Sequence, residues 1–239
     1  MLALEIVMTD PFFHVPAAPL VPIQGQSGGY PVRRIFCVGR NYAAHAAEMG
    51  NEVDREAPFY FTKSAHDICL SGATIAYPLE TEDCHHEMEF VVALGADAFR
   101  VDAAEAMQAV FGYACGIDLT RRDLQAAAKD KRRPWDLGKD FEQSAIIAAL
   151  TPKTTFGAIR DQAIRLTLNG QVAQAATLSD MVWSVPEIIA HLSRFYHLQP
   201  GDLIYTGTPA GVGAVRPGDV LLGEIDGLTP LHLTVGPAA

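Results

Sequence analysis

His85-His86-Glu87-Met88-Glu89-Phe90-Val91-Val92-Ala93-Leu94 is the stretch on which the fold turns. Residues 87–95 are apolar and β-branched after an alternating start, which predicts a strand. Side chains i and i+2 of a strand share a face, with Cα atoms about 6.5–7 Å apart. Glu87 and Glu89 therefore project together, and Met88 and Phe90 face the other way. Two carboxylates at that spacing repel each other unless a cation sits between them. A solvated strand face is the plainer reading of Glu-x-Glu alone, but this pair stands at the entrance of a core strand. His85 shares the face and is a candidate fourth ligand, while His86 reads as structural.

Further strands follow outward from this one. Residues 32–38, 59–62 and 111–118 are short apolar strand candidates. Residues 164–177 read as a hairpin around Asn169-Gly170, a preferred two-residue turn. Pro200-Gly201-Asp202 and Pro217-Gly218-Asp219 each introduce an apolar run, and a last hairpin turns near Asp226-Gly227. Helices are predicted over residues 103–110 and 120–133 and, behind the capping box Ser184-Val185-Pro186-Glu187, to about Tyr196. Residues 41–50 form a short helix or loop. Strands dominate, so the fold class is α+β and β-rich, with a few short helices. Residues 1–31, dense in Pro and Gly, read as an extended N-terminal arm, and residues 32–239 as a single catalytic domain.

A third carboxylate completes the pattern. Asp118 ends the run 111–117, and an early helix start would put it on one face with Arg122 and Gln125. Glu87, Glu89 and Asp118 form an all-oxygen set suited to a hard cation, Mg²⁺ or Mn²⁺. Zinc would want His or Cys. His45 and Glu48, three apart, suit a general base with its orienting carboxylate, although a surface pair is the plainer reading of that spacing. Arg40, Lys63, Arg122 and Lys139 are cations able to meet an acidic substrate, and Thr208 lies in a tight turn able to present its hydroxyl.

Composition narrows the classes. Of 239 residues, 18 are Lys or Arg and 28 are Asp or Glu, a formal charge of −10. That balance argues against nucleic-acid and anionic-membrane partners, and no apolar run approaches a membrane span. The start of the chain has no basic region of a secretory signal. Four cysteines without CxxC spacing suit a reduced, cytoplasmic setting. No GxGxxG, GxxxxGK[ST] or GxSxG occurs, and the His-x-His of a cupin is absent.

Five motifs then stand in order: Cys37-Val38-Gly39-Arg40-Asn41-Tyr42-Ala43-Ala44-His45, His86-Glu87-Met88-Glu89, Gly116-Ile117-Asp118-Leu119-Thr120-Arg121-Arg122-Asp123-Leu124-Gln125, Gly138-Lys139-Asp140-Phe141, and Tyr205-Thr206-Gly207-Thr208-Pro209-Ala210-Gly211-Val212-Gly213. Together, over about residues 32–235, they resemble the fumarylacetoacetate hydrolase family, and within it the small acylpyruvate hydrolases. The resemblance implies a mixed β-roll, usually a homodimer, with Mg²⁺ or Mn²⁺ at Glu87, Glu89 and Asp118. It implies hydrolysis of the C–C bond of a 2,4-dioxo acid, fumarylpyruvate first, in aromatic-compound catabolism. His45, Glu48 and Lys139 are then the catalytic candidates, and Arg40, Lys63, Arg122, Gln125 and Thr208 the substrate-binding ones. Residues 51–57 are a candidate lid. Ser64, Asp140, Glu142 and residues 146–149 depart from the family pattern. The rival reactions inside the family are oxaloacetate decarboxylation or tautomerisation and isomerisation of 2-oxo diacids; outside it stands a non-enzymatic binding module.

Overall fold

The computed structural model describes residues 13, 16–48, 50 and 55–238. The candidate lid over 51–57 thus lies largely outside the described residues, as does most of the first half of the N-terminal arm. The predicted strand is Met88–Leu94, buried along its whole length. It runs through the middle of an eight-stranded mixed sheet in the order Phe59–Lys63, Arg34–Gly39, Asp202–Tyr205, Met88–Leu94, Val110–Asp118, Ala145–Ile147, Ile68–Leu70, with Thr151–Pro152 also paired to Val110–Asp118. The neighbours of Met88–Leu94 are both antiparallel, whereas Asp202–Tyr205 runs parallel to Arg34–Gly39.

Alternation along these strands makes two cores. Phe90, Val92 and Leu94 pack on one side with Phe36, Tyr113 and Ile204. Val91 and Ala93 pack on the other with Ile35, Ala114 and Tyr205. The first side is covered by the helix Val185–Leu192 and by a five-stranded sheet that includes the hairpin Ala163–Leu168/Gln171–Thr177. The second side carries the site. Its apolar residues stop at Val91 and Ala114, and the next positions on the same face are Glu89, Glu87, Gly116 and Asp118. Gly116 stands opposite Glu89 in register. A Cβ at Gly116 would lie 2.4 Å from Val91 Cγ2 and 2.8 Å from Tyr205 Cε1, so only glycine lets these strands close behind the carboxylates.

Several boundaries differ from the sequence expectation. The helix expected over 120–133 is Arg122–Asp130. Thr120–Arg121 pairs instead with Cys84–His86, Thr120 opposite His85. Asp118 therefore ends a strand, not a helix face, and the shared face with Arg122 and Gln125 is corrected accordingly. The helix expected over 103–110 divides into Ala103–Ala106 and a 3-10 turn, Met107–Ala109. The capping box forms as expected, with Ser184 N–H donating to Glu187, but the helix ends at Leu192. Val21 and Tyr30, from the paired strands Leu20–Pro22 and Gly29–Pro31, are buried in the second core. Among the described residues no helix is long and apolar enough to cross a membrane.

Candidate active site

Glu87, Glu89 and Asp118 converge as their strand positions require. Each offers an oxygen within 4.8 Å of the others, and all three are buried. The peptide chain enforces this, because Asp118 N–H donates to the Glu87 carbonyl at 2.9 Å. The strand is interrupted at Glu87, where Gln174 takes over: its Oε1 accepts from Met88 N–H at 2.9 Å and lies 3.1 Å from His86 Nδ1. His86 is thus structural. His85 turns to Asp83, with Nε2 2.9 Å from its carboxylate, and is not in the three-carboxylate set.

Cations crowd beneath the cleft floor. Lys139 Nζ reaches Glu87 Oε2 at 2.9 Å, Asp118 Oδ2 at 2.6 Å and Thr120 Oγ1 at 2.6 Å. Arg122 donates to Glu87 Oε1 and, at 2.7 Å, to Gln125 Oε1. Burial pushes the Glu87 carboxyl up, but Lys139 and Arg122 outweigh it and hold it far below the usual range. Burial would lower Lys139, yet Asp118 and Glu87 keep it raised and charged. Glu89 is different. Its oxygen accepts one hydrogen bond, from Gly207 N–H at 2.7 Å. Burial, then the Asp118 and Glu87 charges, push its carboxyl well above the usual range. Three buried carboxylates, one of them without a cationic partner of its own among the described residues, fit a hard divalent cation with all-oxygen ligands.

The rim supplies the other expected residues. His45, on the helix Ala43–Glu48, has Nδ1 3.2 Å from Glu48 Oε2. Glu48 is itself fixed by Gly211 N–H. The cleft, about 440 Å³ including its open mouth, is lined by His45, Glu87, Glu89, Arg122, Gln125, Lys139, Thr208 and Arg40. Gly207 sits at φ +99°, where a Cβ would meet Asn41 Cβ at 2.7 Å, so the turn before Thr208 closes only with glycine. Thr208 Oγ1 accepts from Gln174 at 2.8 Å, which leaves its own proton to donate.

Lys63 is the expected cation that the structure moves. It does not line the cleft. Its side chain is fully buried behind Asp118, with Nζ 2.9 Å from Oδ1, and donates to Ser144 Oγ at 2.9 Å. It supports a carboxylate from behind, so its place against substrate is corrected. The reading of residues missed Thr120, Gln174 and Lys129. Thr120 and Lys129 carry a signal, one beside Asp118 and the other seven residues beyond Arg122. Gln174 carries none, since its partners His86, Met88, Thr208 and Pro209 are all distant in sequence.

A curled mixed sheet with an all-carboxylate cation site at one face and a His–Glu pair on the rim defines a class of carboxylate-based metal enzymes. The chain belongs to the fumarylacetoacetate hydrolase family: residues 34–236 match its C-terminal domain. A fumarylpyruvate hydrolase of Ralstonia is 51% identical over 193 residues, 80% of this chain and 100% of that protein. An oxaloacetate tautomerase of Escherichia coli is 36% identical over 205 residues, 85% of this chain and 93% of that protein. Among solved structures, fumarylpyruvate hydrolase of Pseudomonas aeruginosa, in complex with Mn²⁺ and pyruvate, superposes with a TM-score of 0.92 at 44% identity, covering 95% of this chain and 100% of that one.

Proposed function

We propose that the protein is a Mg²⁺- or Mn²⁺-dependent hydrolase of acylpyruvates, splitting fumarylpyruvate into fumarate and pyruvate. The observation that carries this is one cleft lined both by members of the three-carboxylate set and by the Glu48-oriented His45. The 51% identical Ralstonia relative and the Pseudomonas structure with Mn²⁺ and pyruvate support the substrate. Glu87, Glu89 and Asp118 would hold the cation. When bound, it supplies Lewis acidity at the oxo-acid end of the substrate.

The chain's own residues do the rest. Glu48 accepts the Nδ1 proton of His45, which leaves Nε2 to take a proton from water. The water oxygen adds to the C4 carbonyl carbon. The C3–C4 bond then breaks, its electron pair stays on C3, and the proton that His45 took from water is returned there to complete pyruvate. The other fragment leaves as a carboxylate. Thr208, with its free hydroxyl proton, stands beside the oxygens that gain charge, and Lys139, held charged with its three N–H groups on Glu87, Asp118 and Thr120, adds its positive field from the floor. Arg40, Arg122 and Gln125 border the substrate.

The reading extends to a homodimer in the cytoplasm serving aromatic-compound catabolism, with residues 1–31 as an arm and 32–239 as one catalytic domain. Four free, buried thiols suit a reducing compartment. Exposed Phe59, Phe195 and Tyr196 offer apolar surface to a second copy. A second reaction, oxaloacetate decarboxylation or tautomerisation, is favoured by relatives such as a 40% identical decarboxylase of Dictyostelium discoideum. Product analysis tests the first reading: fumarylpyruvate should give fumarate and pyruvate in equal amounts, and chelator should stop the reaction. Turnover at the full rate in excess chelator would remove it.

A further inference from the structure

The cations lining the cleft fall into two kinds. Arg122 and Lys139 are committed to the carboxylates of the floor. Arg40 and Lys129 also line the cleft, and among the described residues neither side chain makes a hydrogen bond or ion pair. Lys129 is half-buried, and its ammonium lies 4.9 Å from the centre of the Trp135 ring, which also lines the cleft. An ammonium over a ring face keeps N–H donors free for an anion. Burial, then the Arg122 and Arg40 charges, lower its pKa, so an anion placed beside it would relieve the strain of like charges.

The helix supplies the spacing. Arg122, Gln125 and Lys129 stand at i, i+3 and i+7 of Arg122–Asp130 and share one face. Arg122 touches Glu87 on the floor, and Lys129 lies about 10 Å further along the axis. Helical side chains lean toward the N-terminus, so the Lys129 ammonium points back toward Gln125 and the cleft. Arg40, on the strand side, is held at φ +59°, a conformation that non-glycine residues rarely adopt and that clusters at ligand sites.

Resting on the proposed hydrolase reading, we infer that Lys129, seated on Trp135 and aided by Arg40, receives the far carboxylate of a long dianionic acylpyruvate. Arg122, whose guanidinium is bound to Glu87 and Gln125 with Nε 3.5 Å from His85 Nδ1, is then a positioning residue for the floor. The cleft therefore selects substrates whose second carboxylate lies several carbons beyond the reacting carbonyl. A short diacid such as oxaloacetate does not reach it.

The test compares wild type, Lys129→Met and Lys129→Arg, loaded with Mg²⁺ and matched for thermal stability. Lys129→Met should lower kcat/KM for fumarylpyruvate roughly 10-fold or more, mainly through KM, because a hydrogen bond to a charged group is lost. The loss on acetylpyruvate should be several-fold smaller, and Lys129→Arg should recover most of the fumarylpyruvate rate. Equal losses on both substrates, or none, would overturn the assignment. Calorimetric titration with fumarate, against crotonate with a methyl in place of one carboxylate, separates this claim from the reaction. Fumarate affinity that falls in Lys129→Met, with crotonate affinity unmoved, supports the subsite even if neither acylpyruvate is hydrolysed. Fumarate affinity unchanged in Lys129→Met sinks the subsite even if both are.

Discussion

The floor of the cleft and its mouth hold the same kinds of side chain in opposite states. On the floor each cation among the described residues is paired with a buried partner: Lys139 on three oxygens, Lys63 behind Asp118, Arg122 on Glu87 and Gln125. At the mouth, Arg40 and Lys129 have no anionic partner among the described residues. A saturated network is rigid, because moving one member strands another buried charge. Unspent donors at a rim are available to whatever enters. On the proposed function, the difference puts chemistry at the floor and selection at the mouth.

The comparison breaks most visibly at Glu89. Glu89→Gln should abolish cation-dependent turnover, read as product formation at saturating Mn²⁺. The same variant without metal should unfold at a higher temperature than wild type, because a buried carboxylate crowded by Asp118 and Glu87 is gone. A lower unfolding temperature would mean that Glu89 is not strained by its neighbours. His45→Ala comes next: hydrolysis should fall by about 10²–10⁴-fold while calorimetric Mn²⁺ affinity stays. Hydrolysis within a few-fold of wild type would place water activation elsewhere. Arg122→Ala sharpens the contrast with Lys129. It should cost fumarylpyruvate and acetylpyruvate alike, since it loosens Glu87 under both.

The smallest effect lies outside the cleft. Burial, then the facing Asp140 carboxyl, push Asp67 up to about 8. A carboxyl raised in the folded state favours folding at low pH and loses that contribution as pH rises from about 4 to about 8. Urea midpoints at pH 5 and pH 8 should therefore differ less in Asp67→Asn than in wild type. An unchanged difference would show that Asp67 titrates normally.

What could be read from the sequence follows from what is local. Glu87 and Glu89 share a face by strand geometry alone, and the Asn169-Gly170 hairpin and the Ser184 capping box are set by a few adjacent residues. Asp118 joins the carboxylates because Asp118 N–H bonds to Glu87 O across neighbouring strands, a pairing that only the motif order suggested. Lys63 was misplaced for the same reason: its spacing says nothing about which side of Asp118 its ammonium occupies. Gln174 was invisible, since it ties Met88, His86, Thr208 and Pro209 together from a distant hairpin. The helix start slipped to Arg122 because Thr120–Arg121 found a strand partner in Cys84–His86, and tertiary pairing overrode helix propensity.

The central claim is that this floor serves hydrolysis of an acylpyruvate and this mouth accepts a long dianion. It is tested most directly by kcat/KM for fumarylpyruvate and for oxaloacetate on one preparation loaded with Mn²⁺. Fumarylpyruvate should be hydrolysed with the higher value, and Lys129→Met should narrow the gap. Faster decarboxylation or tautomerisation of oxaloacetate by the wild-type protein would contradict it.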